Sequence, residues 1–317
     1  MDLNICCLRL LEQLRIPFLN KLFLGITYLG SEIAAILIVF AIYWCVSKKD
    51  GLFMLTNCLL ASGVNQVVKL VCHVPRPFVK YEDFELVESA RSTTGGFSFP
   101  SGHTQTATSL YGSMHAVLKK RGVRILPVLC LVMIGLVAFS RLYLGAHYPT
   151  DVLGGFAVGL VFLLILTPVF RRIDEHPYLI SVMFGIGAVI MIVVLWVFEF
   201  GPGRAVVEDL TTPEGLADML KALGMCAGLA LAVTVCEPIE RNFVKFGTKA
   251  VWWAQILKTA IGLAGFGGLM LVMKYPSEAL IGQNGFAYIP RLFVPAAFGI
   301  CVWPLTFRWF PKKKQQS

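Results

Sequence analysis

Long apolar blocks alternate with short polar connections along the chain. Residues 30–47, 126–140, 152–170, 178–198, 218–235, 251–273 and 289–307 are nearly free of charge. Each approaches the roughly 20 residues with which a helix crosses a bilayer. Residues 52–74 and 103–118 are more polar but long enough, as expected of helices that carry a buried site. The pattern predicts an all-α polytopic transmembrane bundle of about nine spans. Ahead of it, Leu3, Cys7, Leu10, Leu11 and Leu14 recur at helical spacing. Asp2, Arg9, Glu12, Gln13 and Arg15 take the other positions before Pro17 interrupts. Residues 1–19 are therefore expected to form a short amphipathic helix, lying on the membrane surface or packed on protein.

Composition agrees with the pattern. The 317 residues are 56% hydrophobic and 15% charged, against about 25% charged in soluble globular domains. The net charge of +9 is dispersed in short clusters at span ends, which argues against nucleic-acid binding and for a role in membrane orientation. Lys48–Lys49, Lys119–Arg121 with Arg124, Arg171–Arg172, Arg241–Lys249 and Lys312–Lys314 fall in alternate connections. The positive-inside rule puts these in the cytoplasm, with the N-terminus outside and the C-terminus inside. Connections 75–102, 141–150, 200–216 and 275–288 then face out. The nine cysteines lie mostly within spans and form no CxxC pair, so free, buried thiols are expected. No cleavable signal peptide is evident, because the first twenty residues lack a continuous apolar core. The chain divides into the segment 1–19, a core over 20–172 and additional transmembrane helices over 173–317.

Two outward connections bring polar chemistry to one face. Lys69 and Arg76 are separated by about two helical turns, close enough to converge on one anion, with Pro77 fixing the following turn. Interfacial snorkelling is the plainer reading of that pair alone. Pro100-Ser101-Gly102-His103 reads as a helix start, where backbone N–H groups bind anions and His103 stands ready to donate a proton. In the second connection Pro149 belongs at the first helical position, which puts His147 just before the helix and Asp151 in its first turn. Their i,i+4 separation lets the carboxylate hold one ring nitrogen and leave the other free. Asp151 as a simple partner of the helix dipole fits equally well locally.

Together these residues supply three cations (Lys69, Arg76, Arg141), two histidines, an orienting carboxylate and a helix N-terminus. The inventory matches phosphoryl transfer through a phosphohistidine: His147 attacks phosphorus and His103 protonates the leaving oxygen. The cations and the Ser101 and Gly102 amides hold the equatorial oxygens. Neither a metal nor another cofactor is called for, since the fixed cations supply the charge magnesium would bring.

The same residues resemble the type-2 phosphatidic acid phosphatase superfamily, whose signature runs K-x6-R-P, then P-S-G-H, then S-R-x5-H-x3-D. Every fixed position is present: Lys69, Arg76, Pro77; Pro100, Ser101, Gly102, His103; Ser140, Arg141, His147, Asp151. The resemblance implies His147 as nucleophile, Asp151 as its partner, His103 as acid, and Lys69, Arg76, Ser101, Gly102 and Arg141 as phosphate ligands. The usual membrane member has six spans; the nine-span layout looks more like the glucose-6-phosphatase branch.

The expected function is hydrolysis of a lipid phosphate or diphosphate on the extracytoplasmic or lumenal face, with phosphorylated lipid and membrane lipids as partners. Rivals are a sugar-phosphate phosphatase, a lipid phosphotransferase and a non-catalytic lipid transporter. The intact His103, His147 and Asp151 argue against the last, because binding alone needs only the cations. Within the first motif His73 reads as a polar spacer or a residue that tunes the site; outside the motifs His115 and His176 read as solvated, and Lys258 as a snorkelling residue or a functional one. Lys221 and Arg291 read as interfacial anchors.

Overall fold

In the computed structural model residues 3–311 are described; Asp2 and the tail Lys312–Lys314, used in the readings above, lie outside them. Those residues form helices joined by irregular connections, without a strand. In chain order the helices are α1 (Leu3–Glu12), α2 (Pro17–Tyr28), α3 (Glu32–Cys45), α4 (Lys48–Cys72), α5 (Pro77–Lys80), α6 (Gly102–Lys120) and α7 (Ile125–Tyr143). They continue as α8 (Pro149–Arg171), α9 (Tyr178–Glu199), α10 (Gly203–Glu208), α11 (Pro213–Ile239), α12 (Trp252–Val272), α13 (Lys274–Ile281) and α14 (Tyr288–Ala297).

Among the described residues seven helices, some with short continuations, are long and apolar enough to cross a membrane, or eight if α2 and α3, bent by 49°, make one span. The first apolar block forms α3, and α2 is set off from it by a break at Leu29–Ser31, where the Ser31 hydroxyl caps α3 by accepting from Ala34 N. The last block loses α-helical regularity after Ala297, around Pro295 and Pro304. The block 103–118 does form α6, but α6 is too polar to qualify as a span by composition.

That polarity has a packing reason. α6 lies against α4, α7 and α8, and Thr104, Gln105, Thr106, Thr108, Ser109 and Ser113 are all buried. Away from water each polar group needs a partner. Thr108 Oγ1 donates to the Thr104 carbonyl (2.7 Å), Gln105 Nε2 to Ser109 Oγ (3.2 Å) and Asn57 Nδ2 to Ser113 Oγ (2.8 Å). Close approach comes from Gly155 and Gly159, one turn apart on α8. A Cβ on Gly155 would lie 2.3 Å from the Ser101 carbonyl oxygen, and one on Gly159 2.7 Å from Thr108 Cβ. Small residues at this spacing let membrane helices pack backbone to backbone.

The C-terminal half repeats the device. Gly224 and Gly228 of α11 meet the carbonyl oxygens of Gly285 and Ile289, 2.1 Å and 2.2 Å from where their Cβ atoms would stand. α11 also packs on α9 and α4, and α12 on α14 and α3. Lys258 on α12 does not snorkel. It is fully buried, donates to the carbonyls of Trp44 (3.0 Å) and Thr248 (3.3 Å), and sits 4.1 Å over the Phe307 ring.

The two ends of the bundle differ in charge. At one end Lys48 pairs with Glu240, Lys49 with Asp174 and Arg121 with Asp50. The end of α4, the start of α6, the end of α7 and the start of α8 carry the motifs at the other. There α1 packs through Ile5 and Leu8 beside Phe84 and Tyr148, while Leu3, Cys7, Leu10 and Leu14 point away from the protein. His115, expected to be solvated, is half-buried and bonded through Nδ1 to the Pro127 carbonyl (2.9 Å).

Gly155→Ala is expected to destabilise the folded protein by about 1–3 kcal/mol, the usual cost of over-packing. Gly135→Ala, with nothing within 4 Å of the added methyl, serves as control. Thermal unfolding in detergent checks this; an unchanged Tm for Gly155→Ala would contradict the close α6–α8 contact.

Candidate active site

Four chain segments meet at this end of the bundle. α4 stops at His73, which adopts the left-handed conformation (φ 52°) that a helix C-cap uses. An extended stretch then carries Arg76 inward, stitched to the second segment by Ser98 N donating to the Val74 carbonyl (2.7 Å). Ser101 caps α6, its hydroxyl accepting from Thr104 Oγ1 (3.0 Å). The Ser101 N–H is already engaged with the Asp151 carbonyl (2.9 Å). Of the two amides expected to hold phosphate, Ser101's is therefore committed; the Gly102 N–H and the Ser101 hydroxyl proton are left for an anion.

The third and fourth segments are the end of α7 and the start of α8. Asp151 Oδ2 accepts from Tyr148 N (2.8 Å) and from Ser98 Oγ (2.5 Å), and lies 3.5 Å from His147 Nδ1. One carboxylate thus serves as helix cap and as partner of the histidine, so the two readings of Asp151 describe the same group. Ser98, which no motif marked, completes the arrangement 3.4 Å from His147 Nδ1.

The opposite ring nitrogen faces a cation. His147 Nε2 is 3.3 Å from Arg76 Nη1, and a guanidinium can only donate. Nε2 is therefore the acceptor, and the proton is assigned to Nδ1 on the Asp151 side. Burial above all, and then the charges of Arg76, Arg141, Lys69 and His103, hold His147 well below the usual histidine range. The ring is neutral, with its lone pair turned toward the cations.

Each arginine is fixed by neighbours that the motifs do not include. Arg76 donates through Nε to the Gly96 carbonyl (2.9 Å), through Nη2 to Gly95 (2.6 Å) and through Nη1 to Ala146 (3.0 Å). Arg141 donates through Nη1 to Thr27 Oγ1 and Thr93 Oγ1 (2.9 Å each) and through Nη2 to the Thr93 carbonyl (3.1 Å). Its Nε is buried with no partner among the described residues. Lys69 is buried in the last turn of α4. The charges of Arg141, Lys69 and Arg76 reach His103 in the first turn of α6.

All eight expected site residues come to this end. Lys221 and Arg291 do not join them: they flank the Tyr288 ring at 5.6 and 5.2 Å. Among the described residues no group of three or more His, Cys, Asp or Glu side chains is placed to hold a metal ion. The site joins an oriented, neutral imidazole to a concentration of fixed positive charge, an arrangement for attack on a polyanionic centre.

Comparison with known proteins places this constellation in context. Residues 50–175 match the PAP2 superfamily. The chain is 34% identical over 158 residues to phosphatidylglycerophosphatase B of Bacillus subtilis, covering 47% of this chain and 73% of that protein. It is 29% identical over 174 residues to glucose-6-phosphatase 3 of Bos taurus, covering 49% of this chain and half of the relative's length. With an undecaprenyl-diphosphatase of Bacillus subtilis it shares 34% identity over 116 residues, 36% of this chain and 55% of the relative. A crystal structure of a transmembrane PAP2-type phosphatidylglycerolphosphate phosphatase from Bacillus subtilis covers 53% of this chain and 84% of its own, with 28% identity and a TM-score of 0.46. Thr27 lies outside the matched residues; Thr93 and Ser98 lie within them.

Ser98→Ala removes a hydrogen bond to a buried carboxylate, a loss of about 1.5–3 kcal/mol, and is expected to lower kcat/KM for phosphate release about 10–100-fold. Steady-state kinetics on the variant checks it; unaltered kinetics would leave Ser98 a packing residue. Because its pKa is lowered, His147 keeps its neutral form further into acid than an ordinary histidine, which titrates near about 6.5. Nitrogen-15 NMR of the substrate-free protein at about pH 6 is expected to show the neutral, Nδ1-protonated tautomer. Imidazolium signals for His147 would refute the assignment.

Proposed function

This chain belongs to the PAP2 superfamily, and from that premise we propose that it hydrolyses a lipid phosphate or diphosphate through a phosphohistidine on the non-cytoplasmic face of the membrane. The observation that carries the reading is His147: its Nε2 faces Arg76, and its Nδ1 is backed by Asp151 and Ser98.

The chemistry follows from the geometry. The Nε2 lone pair attacks phosphorus while the bond to the leaving oxygen breaks; His103, which takes up a proton from water as the bound phosphate offsets the charges of Lys69, Arg76 and Arg141, delivers it to that oxygen. Lys69, Arg76, Arg141 and the Gly102 N–H stabilise the charge on the equatorial oxygens. His103, now neutral, takes a proton from water; the resulting hydroxide attacks the phosphohistidine, the P–N bond breaks and inorganic phosphate leaves. Asp151 stabilises the positive charge that His147 carries through the intermediate.

Charge supports this side of the membrane. The basic clusters paired around Lys48, Lys49 and Arg121 lie at the end of the bundle away from the motifs, so the positive-inside rule turns the site outward. Counting α2–α3 as one crossing, α6 as a crossing inside the protein, and α4, α7, α8, α9, α11, α12 and the helix from Gly285 as the others gives nine. The N-terminus is then outside and the C-terminus inside. The lipid reading draws on two relatives, a phosphatidylglycerophosphatase and an undecaprenyl-diphosphatase. The similarity to glucose-6-phosphatase 3 favours a second reading, a soluble sugar phosphate.

Purified protein in chelator should release phosphate from phosphatidic acid or a polyprenyl diphosphate faster than from glucose 6-phosphate, with vanadate inhibiting. His147→Ala is expected to lower release at least about a thousandfold, as loss of a nucleophile does. Preference for the sugar phosphate would select the second reading. Release that persists in His147→Ala, or that requires magnesium, would overturn the mechanism.

A further inference from the structure

The helices beyond residue 175 lie outside the family match, yet one of them reaches the site. The Gly95 and Gly96 carbonyls that accept from Arg76 form a turn, with Gly96 at φ 58°, a conformation that L side chains rarely adopt. The first turns of α11 cover that turn directly. A Cβ on Gly96 would stand 2.4 Å from Met219 Cγ and 3.1 Å from the Gly215 carbonyl oxygen. One on Gly95 would stand 2.7 Å from Asp218 Oδ2. The absence of side chains at both positions is what lets α11 close on the backbone that holds the arginine.

α11 is itself firmly placed. Thr212 caps it, accepting from Gly215 N (3.1 Å), and Pro213 occupies its first position. Leu216, Met219 and Leu220 are buried, and Gly224 and Gly228 lock the helix onto the backbone near Gly285 and Ile289. The Asp218 carboxylate also acts electrostatically on the Arg76 guanidinium. A cleft of about 790 Å³ runs between the two walls, lined by Arg76, Gly95 and Phe97 on one side and by Thr212, Gly215 and Asp218 on the other.

We propose that α11 clamps the Gly95–Gly96 turn, and that Met219 and Asp218 are positioning residues which act on phosphate through Arg76. The additional helices thereby complete the active site of the core. An arginine aimed by two backbone carbonyls keeps its orientation only while their turn is held. With the clamp loosened, the Nη1 edge shared with His147 Nε2 shifts, and transition-state charge is less well matched. Met219 supplies the contact; Asp218 supplies a carboxylate that fixes the sign of the charge behind the arginine.

The proposal rests on the phosphatase reading, so the test separates the two. Wild type, Met219→Ala, Arg76→Lys and the double variant are compared by kcat, KM and the Kd for orthovanadate, with Asp218→Asn alongside. Met219→Ala is expected to lower kcat/KM about tenfold, mainly in kcat, and to weaken vanadate binding. In the Arg76→Lys background the same substitution should change either quantity less than about twofold, because contacts acting through one group are non-additive. Asp218→Asn, which keeps the shape and removes the charge, should fall between wild type and Met219→Ala. A tenfold loss in both backgrounds would make Met219 a general packing residue and overturn the clamp, as would no loss in the wild-type background. If wild type releases no phosphate in a His147-dependent way, the phosphatase reading fails by itself. The vanadate constants of the four proteins then still decide whether Met219 acts through Arg76.

Discussion

Three buried cations converge at the end of a helical bundle, and their mutual repulsion is the constraint around which the structure is arranged. Taking Lys69, Arg76 and Arg141 out of water is costly unless each is met by hydrogen-bond acceptors. Carboxylates close to the arginines would neutralise them and compete with a phosphate. The protein instead meets them with dipoles: three backbone carbonyls for Arg76, two threonine hydroxyls and a carbonyl for Arg141. The positive field survives: Asp151 is turned to the far side of His147, and Asp218 stands behind the Gly95–Gly96 turn.

Holding dipoles at fixed angles requires backbone that does not move, and the packing supplies it. α6 stands at the centre of the core, polar enough to be unfit for lipid, and α8 closes on it through Gly155 and Gly159. The same spacing of small residues, Gly224 and Gly228, seats α11 in the C-terminal layer. Such contacts lack the hydrophobic drive available in water and depend on close backbone approach. On their outer faces α8 and α12 present apolar side chains outward, among them Leu153, Val161, Leu164, Ile256 and Leu271. The charged residues of the bundle are accordingly sorted to its two ends, apart from a few such as Lys258 whose ammonium is held by main-chain carbonyls.

The motif residues were readable because their chemistry is local. Asp151 lies one turn from His147 and three positions into a helix begun by Pro149, so its dual role follows from helical geometry alone. Ser98, Thr27 and Thr93 were not readable, since a hydroxyl in a loop or span carries no signal until its partner is known. The commitment of the Ser101 amide to the Asp151 carbonyl depends on two segments fifty residues apart meeting. The burial of Lys258 was hidden for the same reason: depth along a helix says how far water is, and not that Trp44 and Phe307 close over the side chain.

Sequence alone therefore determined the helical class, the apolar blocks, the three motifs and the positions of their histidines, carboxylate and cations, because periodicity and i,i+4 spacing act within one helix or one turn. Tertiary structure decided what those residues rest on. It set α2 at a bend ahead of the first apolar block, buried α6 among other helices, fixed Arg141 by a threonine of α2, and brought α11 onto the Gly95–Gly96 turn behind Arg76. Those outcomes turn on backbone approach between segments far apart in the chain, at distances where a single methyl group changes the answer. No local pattern of residues encodes them.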